Sequence, residues 1–379
     1  MKQDNLSVVL AERPTGAIIP GQTFHQKTTP IPSPADLQDG QILVETVYLS
    51  LDPAMRGWLN APLNADKHRG QDVRSYLPPV KLGAVMRGAT AARVLASKSK
   101  QAAPGDYVSA MSGWTEYAIL DEGQFEPASS FPGLNPNEPQ DILSVLGLTG
   151  ATAWWGMTQI GDPKPGELVV VSGAAGATGS VAGQIAKIKG ATVVGICGSD
   201  TKCSWLVNEL GFDVALNYKA SDFRDQFKAA TKSYIDVYFD NGLSTPSLRL
   251  PSLRHAGPVG GDILDMCLAR AKEHSRFVMC GGISQYNSAN PVGPKNIARV
   301  ITMRIRMQGF IVFDHRDRIP EIRRELSQWL AEGKLKKTET IVKGGLAVAE
   351  QALVDLYNGS NQGKLLVEVK SPSAPALKL

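Results

Sequence analysis

A run of apolar, β-branched residues, Val169-Val170-Val171, leads through Ser172 into a turn of very small side chains, Gly173-Ala174-Ala175-Gly176-Ala177-Thr178-Gly179-Ser180. The run reads as a buried strand and the turn as a sharp entry into a helix. Val181, Ala182, Ile185, Ala186 and Ile188 then recur at the spacing of one helical face, and Gly190 stops it. A second strand, Thr192-Val193-Val194-Gly195-Ile196, stands where a βαβ unit needs one. Backbone N–H groups at such a helix start point outward, and the helix dipole favours an anion there. The turn reads Ala174-x-Gly176-x-x-Gly179, an alanine form of the dinucleotide fingerprint, in which small residues let a pyrophosphate approach the backbone. A turn of this kind can also do no more than pack a helix on a strand. The strands on either side of the helix favour the dinucleotide.

The end of the second strand selects the dinucleotide. An NAD site carries Asp or Glu there, to hold the ribose hydroxyls. Here Cys197-Gly198-Ser199-Asp200-Thr201-Lys202 follows, with no acid at the strand end. The Ser199 hydroxyl and Lys202 ammonium suit a 2′-phosphate, hence NADPH. Ser199 is also placed to cap the next helix, which would put Asp200 in its first turn.

The chain of 379 residues is long enough for two domains. A net charge of +4 without clustering gives no case for nucleic acid or a membrane surface. No apolar run approaches a membrane span, and Met1-Lys2-Gln3-Asp4-Asn5 lacks the apolar core of a signal peptide. The tail ends Leu377-Lys378-Leu379, only a loose likeness to a peroxisomal address. Cys197, Cys203, Cys267 and Cys280 show no CxxC pairing; Cys197 and Cys280 lie in apolar runs and read as buried thiols. A reduced, cytoplasmic setting is the expectation.

The alternation of patterns sets the fold class. Residues 1–142 read as many short strands punctuated by Pro and Gly, a barrel-like β domain completed by about 333–379. Residues 143–332 alternate strands and helices, including a helix over 262–272 and a strand over 275–280, as in a doubly wound parallel sheet. The class is therefore α/β.

Several ordered motifs point further. They include Tyr48-Leu49-Ser50-Leu51-Asp52-Pro53-Ala54-Met55-Arg56-Gly57-Trp58, Gly113-Trp114-Thr115-Glu116-Tyr117, the fingerprint with Gly183-Gln184-Ile185-Ala186-Lys187, and Asn217-Tyr218-Lys219. Phe239-Asp240-Asn241, Gly281-Gly282-Ile283-Ser284-Gln285-Tyr286-Asn287, Gly309-Phe310-Ile311-Val312 and Asn361-x-Gly363-Lys364 follow in order. With these motifs, the chain from about Glu12 to Val369 resembles the zinc-independent medium-chain dehydrogenases/reductases of the leukotriene B4 dehydrogenase, prostaglandin reductase and alkenal double-bond reductase type. The resemblance implies a GroES-like β domain beside a Rossmann domain, homodimers, and NADPH-dependent reduction of an activated carbon–carbon double bond in a small apolar carbonyl substrate. On matching positions it implies cofactor contacts from Ala175, Gly176, Thr178 and Gly179 in the turn, and from Ser199, Lys202 and Tyr218 at the phosphate and ribose. It implies Asn241, Cys280 and Asn361 along the cofactor, Thr152 at the carboxamide, and Phe310 and Val312 at the nicotinamide end.

The residues themselves argue against a zinc alcohol dehydrogenase. Such a site needs a first-domain Cys ligand, and no cysteine precedes Cys197; the five histidines show no ligand spacing. Without a Lewis acid, a conjugate reduction that spreads charge over an enolate is the better match. Tyr286, then Tyr48, are the candidate catalytic hydroxyls for the carbonyl oxygen. Tyr286 reads equally as a residue that only positions the nicotinamide, and Tyr48 as an alternating strand residue. A quinone reductase on the same scaffold, or a protein that binds NADPH without turnover, are the alternatives.

Two departures from the family stand out. Ala54 occupies a position where many relatives have Tyr, and residues 242–258 interrupt a run that relatives continue directly. The inserted segment, which carries Arg249, Arg254 and His255, reads as a solvent loop, a lid or a retained intron.

Overall fold

Alternating residues at Asp4–Leu10 (β1) pair antiparallel with Phe24–Pro30 (β2). The computed structural model describes residues 4–61, 76–242, 262–281 and 293–377, so Tyr286 and residues 243–258 lie outside the described residues. Two units are distinguished: Met1–Gly147 with Glu339–Asn361 and Leu365–Leu379, and Leu148–Thr338 with Gln362–Lys364.

In the first unit, Gln41–Ser50 (β3) is buried along almost its whole length. It is joined by Thr90–Ser97 (β4), Tyr107–Ala110 (β5), Tyr117–Asp121 (β6) and Phe125–Pro127 (β7), and by the late strands Glu339–Lys343 (β14) and Lys364–Glu368 (β15). β4 takes one edge of β3, and β6 and β15 share the other, at Gln41–Glu45 and Tyr48–Ser50 respectively. Bulges between Leu43 and Val44 and between Thr46 and Tyr48 increase the local bend, as expected where one strand changes partners. Leu49, Leu51, Met55 and Trp114 are fully enclosed in this unit's core, each contributing about 1.5–3 kcal/mol by burial. Arg56 is structural here: its guanidinium donates to the carbonyls of Pro14 and Gly16 and to Asn60 Oδ1.

The second unit holds Leu168–Ser172 (β8), Thr192–Cys197 (β9), Val214–Asn217 (β10), Ile235–Asp240 (β11), Ala271–Met279 (β12) and Arg306–Gly309 (β13). All pair in parallel, in the order β10-β9-β8-β11-β12-β13. Both faces are covered, so the strands read as continuous apolar runs. Leu168, Val170, Val194 and Ile196 pack with Phe223, Phe227, Ile263 and Leu268 on one face. The strand order reverses between β8 and β11, and ligands of such sheets bind outside the carboxyl ends of the strands at that point.

One expectation is corrected in detail. The helix predicted over 262–272 is Asp262–Ala269, and β12 already begins at Ala271. Ala271 pairs with Ile235 of β11, and Lys272 and Glu273 fall in the register shift before pairing resumes at Arg276, with a left-handed His274 at φ 61° inside it.

Candidate functional site

The fingerprint turn follows β8. Gly173, at φ 59°, takes the left-handed conformation that the tight turn needs, one residue before the first fingerprint position. Ala174 can therefore replace the usual first glycine; it is fully buried, and its N–H donates to Ile196 O at 3.0 Å. The helix Ala177–Ile188 begins after Gly176 with no side-chain cap and no acid in its first turn, which leaves an anion-favouring end. A Cβ on Gly179 would lie 2.3 Å from Gly173 O and 2.9 Å from Ala174 Cα, so only glycine lets this helix sit on the turn. A Cβ on Gly176 would meet only Gly173 O, at 3.3 Å, leaving that side open to a ligand. Thr178 lies in the helix's first turn beside them.

The segment Gln362–Lys364 supports the turn from the far end of the sequence. Gly363 N donates to Ala175 O at 2.9 Å, and a side chain at Gly363 would meet Thr338 O at 2.0 Å. Asn361, buried, directly precedes it in the chain.

At the end of β9, Ser199 caps the helix Asp200–Asn208, its Oγ accepting from Lys202 N at 3.3 Å. Asp200 is occupied by Asn217, whose Nδ2 donates to its Oδ1 at 2.9 Å. The one acid near the strand end is thus turned toward β10. Lys202 is half-buried, and burial holds its ammonium below the usual lysine value; Cys197 opposes this and Lys219 adds to it. A phosphate would reverse the effect. Tyr218 follows β10, with its hydroxyl against Gly198 and Lys219 Nζ 5.7 Å from its ring centroid. Burial raises its pKa, so the phenol keeps its proton. Tyr218 therefore lies against Gly198, the neighbour of Ser199, and Lys202 follows in the first turn of the helix that Ser199 caps.

A polar relay fixes the point where the sheet order reverses. Ser172 Oγ donates to Asp240 Oδ1 at 3.0 Å and accepts from Asn241 N at 3.0 Å, while Asn241 Nδ2 donates to Ser172 O at 2.8 Å. Asp240 Oδ1 also accepts from Tyr238 Oη and Gly242 N. Asn241 is thus tied to β8 through both its backbone N–H and its side chain, although the inserted segment follows immediately. Cys280 N donates to Asp240 O at 2.9 Å, and burial, then Asp240, pushes the Cys280 thiol up to about 12.

Thr152 lies in the helix Leu148–Trp155, and its hydroxyl hydrogen is given to Leu148 O at 2.7 Å, which leaves the oxygen free to accept. That helix runs into a π-turn, Gly156–Gly161. A Cβ on Gly156 would meet Phe239 at 2.6 Å and the Phe310 ring at 3.0 Å, so Phe310 packs tightly on this turn. Val312 is buried just beyond it. Tyr48 belongs to the other unit; it is 4% exposed, and burial, then Glu368 and Tyr107, raises its pKa.

The sequence motifs assign no role to Ser172 or Asp240 and do not reveal the approach of Cys197 Sγ to Cys203 Sγ, 3.3 Å apart. Ser172 closes a β-branched run and Asp240 closes a strand of mixed aromatic and apolar residues; a polar residue ending each of two parallel strands is the available signal. Among the described residues, no group of three His, Cys, Asp or Glu side chains is placed to hold a metal ion, and no helix is long and apolar enough to cross a membrane.

Comparison with known proteins places these features in context. Residues 7–128 match a family described as the N-terminal domain of oxidoreductase, and residues 177–331 one described as zinc-binding dehydrogenase. The chain is 38% identical over 374 residues to an NADPH-dependent curcumin reductase of Escherichia coli, covering 97% of this chain and 98% of that one. It is 36% identical over 333 residues to a 2-alkenal reductase (NADP(+)-dependent) of Nicotiana tabacum, covering 86% and 87% respectively. The crystal structure of CurA from Vibrio vulnificus in complex with NADPH matches with a TM-score of 0.82 at 36% identity, covering 97% of this chain and all of the other.

Proposed function

The chain belongs to the zinc-independent medium-chain dehydrogenase/reductase family, and on that basis we propose that it uses NADPH to reduce the carbon–carbon double bond of α,β-unsaturated aldehydes or ketones. One observation carries the cofactor choice. At the end of β9 Asp200 is tied to Asn217, while Ser199, Tyr218 beside Gly198, and Lys202 in the first turn of the next helix are the groups we assign to a 2′-phosphate. The double bond rests on the likeness to an alkenal reductase and on a residue set suited to conjugate reduction.

When bound, NADPH supplies a hydride to the β-carbon, and negative charge develops on the carbonyl oxygen as an enolate. The chain's own groups bind and orient. The uncapped start of the helix Ala177–Ile188 and the open side of Gly176 receive the pyrophosphate. The oxygen of Thr152, its hydrogen already committed, accepts from a carboxamide N–H. Asn241, fixed by Ser172, and Phe310, fixed against Gly156, hold the neighbouring stretch in one place. Tyr286, and secondarily Tyr48, donate an O–H to the carbonyl oxygen as its charge grows. A phenol with a raised pKa, as at Tyr48, remains a donor throughout the neutral range.

Turnover of an enal, an enone and a quinone in parallel, with NADPH and with NADH, tests the reading. Saturated carbonyl products with NADPH preferred are expected. Oxidation of NADPH with the quinone alone would replace the reading by a quinone reductase, and binding without turnover by a non-catalytic role. Tyr286→Phe is expected to lower kcat about tenfold with an enone, the effect of one lost transition-state hydrogen bond partly replaced by water.

A further inference from the structure

Two thiols that the proposed reaction does not use meet beside the proposed phosphate pocket. Cys197 ends β9 and is buried; Cys203 lies in the helix Asp200–Asn208, is half-buried, and is anchored by its N–H to Ser199 O at 3.0 Å. Their Sγ atoms are 3.3 Å apart, and both are free thiols. Between them in the chain lie Gly198, Ser199, Asp200, Thr201 and Lys202, the loop and helix start assigned to the 2′-phosphate.

We propose that Cys197 and Cys203 are a modification site for hydroperoxides, closing to a reversible disulfide that weakens NADPH binding. The second half of this inference rests on the reading of Ser199 and Lys202 as phosphate partners. The chemistry follows from the pairing. The hydrogen bond from Cys203, helped by Lys202, holds the Cys197 thiol below its ordinary value, while that bond and burial push Cys203 up. Cys197, the thiol favoured to ionise, is the first nucleophile of the proposed sequence, and attack by the more exposed Cys203 would give the same disulfide. The Cys197 thiolate attacks the O–O bond of the hydroperoxide: an S–O bond forms, the O–O bond breaks, and an alcohol, or water from hydrogen peroxide, leaves. Cys197 is then a neutral sulfenic acid and no longer opposes ionisation of Cys203. Cys203 loses its proton and attacks Cys197 Sγ; the S–S bond forms, the S–O bond breaks, and water leaves. The two thiols lose two electrons, and the hydroperoxide gains them.

Closure shortens the sulfur separation from 3.3 Å to about 2 Å. β9 is held between β8 and β10, so the shift falls on the first turn of the helix Asp200–Asn208. That turn carries both the Ser199 cap and Lys202.

The test is made on the full chain, treated with hydrogen peroxide, alkylated and digested with trypsin. Lys202 is a cleavage site between the two cysteines, so the disulfide joins peptide 190–202 to peptide 203–219. The linked peptides are expected, with KM for NADPH raised about tenfold, KM for NADH changed less than about twofold, and both effects reversed by dithiothreitol. Cys203→Ser, with an unchanged melting temperature, should show neither linkage nor rise. Absence of the linked peptides overturns the proposal, as does linkage without a change in KM for NADPH. Failure of the phosphate reading is recognised separately: Lys202→Ala would then leave KM for NADPH unchanged in the reduced protein, whereas the peptide linkage reports on the thiols alone.

Discussion

Gly179→Ala is expected to lower the melting temperature by roughly 6–12 °C, the consequence of about 3 kcal/mol of overpacking in a unit of this size. The added carbon would sit 2.3 Å from Gly173 O and 2.9 Å from Ala174 Cα, backbone atoms that cannot rotate away. The helix Ala177–Ile188 would have to lift from the turn, and Val181, Ala182, Ile185 and Ala186, all buried, would lose contacts with it. Gly176→Ala separates stability from binding. Its added carbon meets one oxygen at 3.3 Å, and Gly176 already has an extended backbone at φ −86° and ψ 175°. The fold should therefore survive, while the methyl group occupies the approach to the pyrophosphate. Thermal unfolding and NADPH titration of the two variants check this. Equal stability loss in both would contradict the assignment of packing to one glycine and ligand approach to the other.

Lys202→Ala is expected to raise KM for NADPH roughly 10- to 100-fold, the effect of one charge-assisted hydrogen bond, and to leave NADH nearly unaffected. Burial holds the half-buried ammonium below its ordinary value, and a phosphate dianion there would oppose that desolvation and favour the charged form. The rise should shrink at high salt, because part of the interaction is screened. Asp200 does not offset it, being paired with Asn217. A parallel rise for NADH would show that Lys202 serves the helix rather than the phosphate.

What was legible in the sequence was what is local. The β-branched run, the small-residue turn and the helical spacing from Val181 to Ile188 lie within one βαβ unit, so periodicity and turn chemistry suffice to read them. The cap at Ser199, with Asp200 in the first turn, was readable for the same reason, and the structure has it. The remaining features depend on residues distant in sequence. Gly363 supports Ala175, Ser172 orients Asn241, and Asn217 removes Asp200 from competition, and no window of sequence contains both members of these pairs. The start of β12 is not legible locally because Lys272 and Glu273 look helical alone, whereas the strand is set by the distant pairing of Ala271 with Ile235 of β11. The likeness to a family supplied the tyrosines; nothing in spacing or composition distinguishes Tyr286 or Tyr48 from other tyrosines of the chain.

Transfer of deuterium from NADPH labelled at the nicotinamide C4 to an enone tests the proposed reaction most directly. The saturated ketone carrying a single deuterium on the former β-carbon is the expected product. An allylic alcohol labelled at the carbonyl carbon, with the double bond intact, would contradict it.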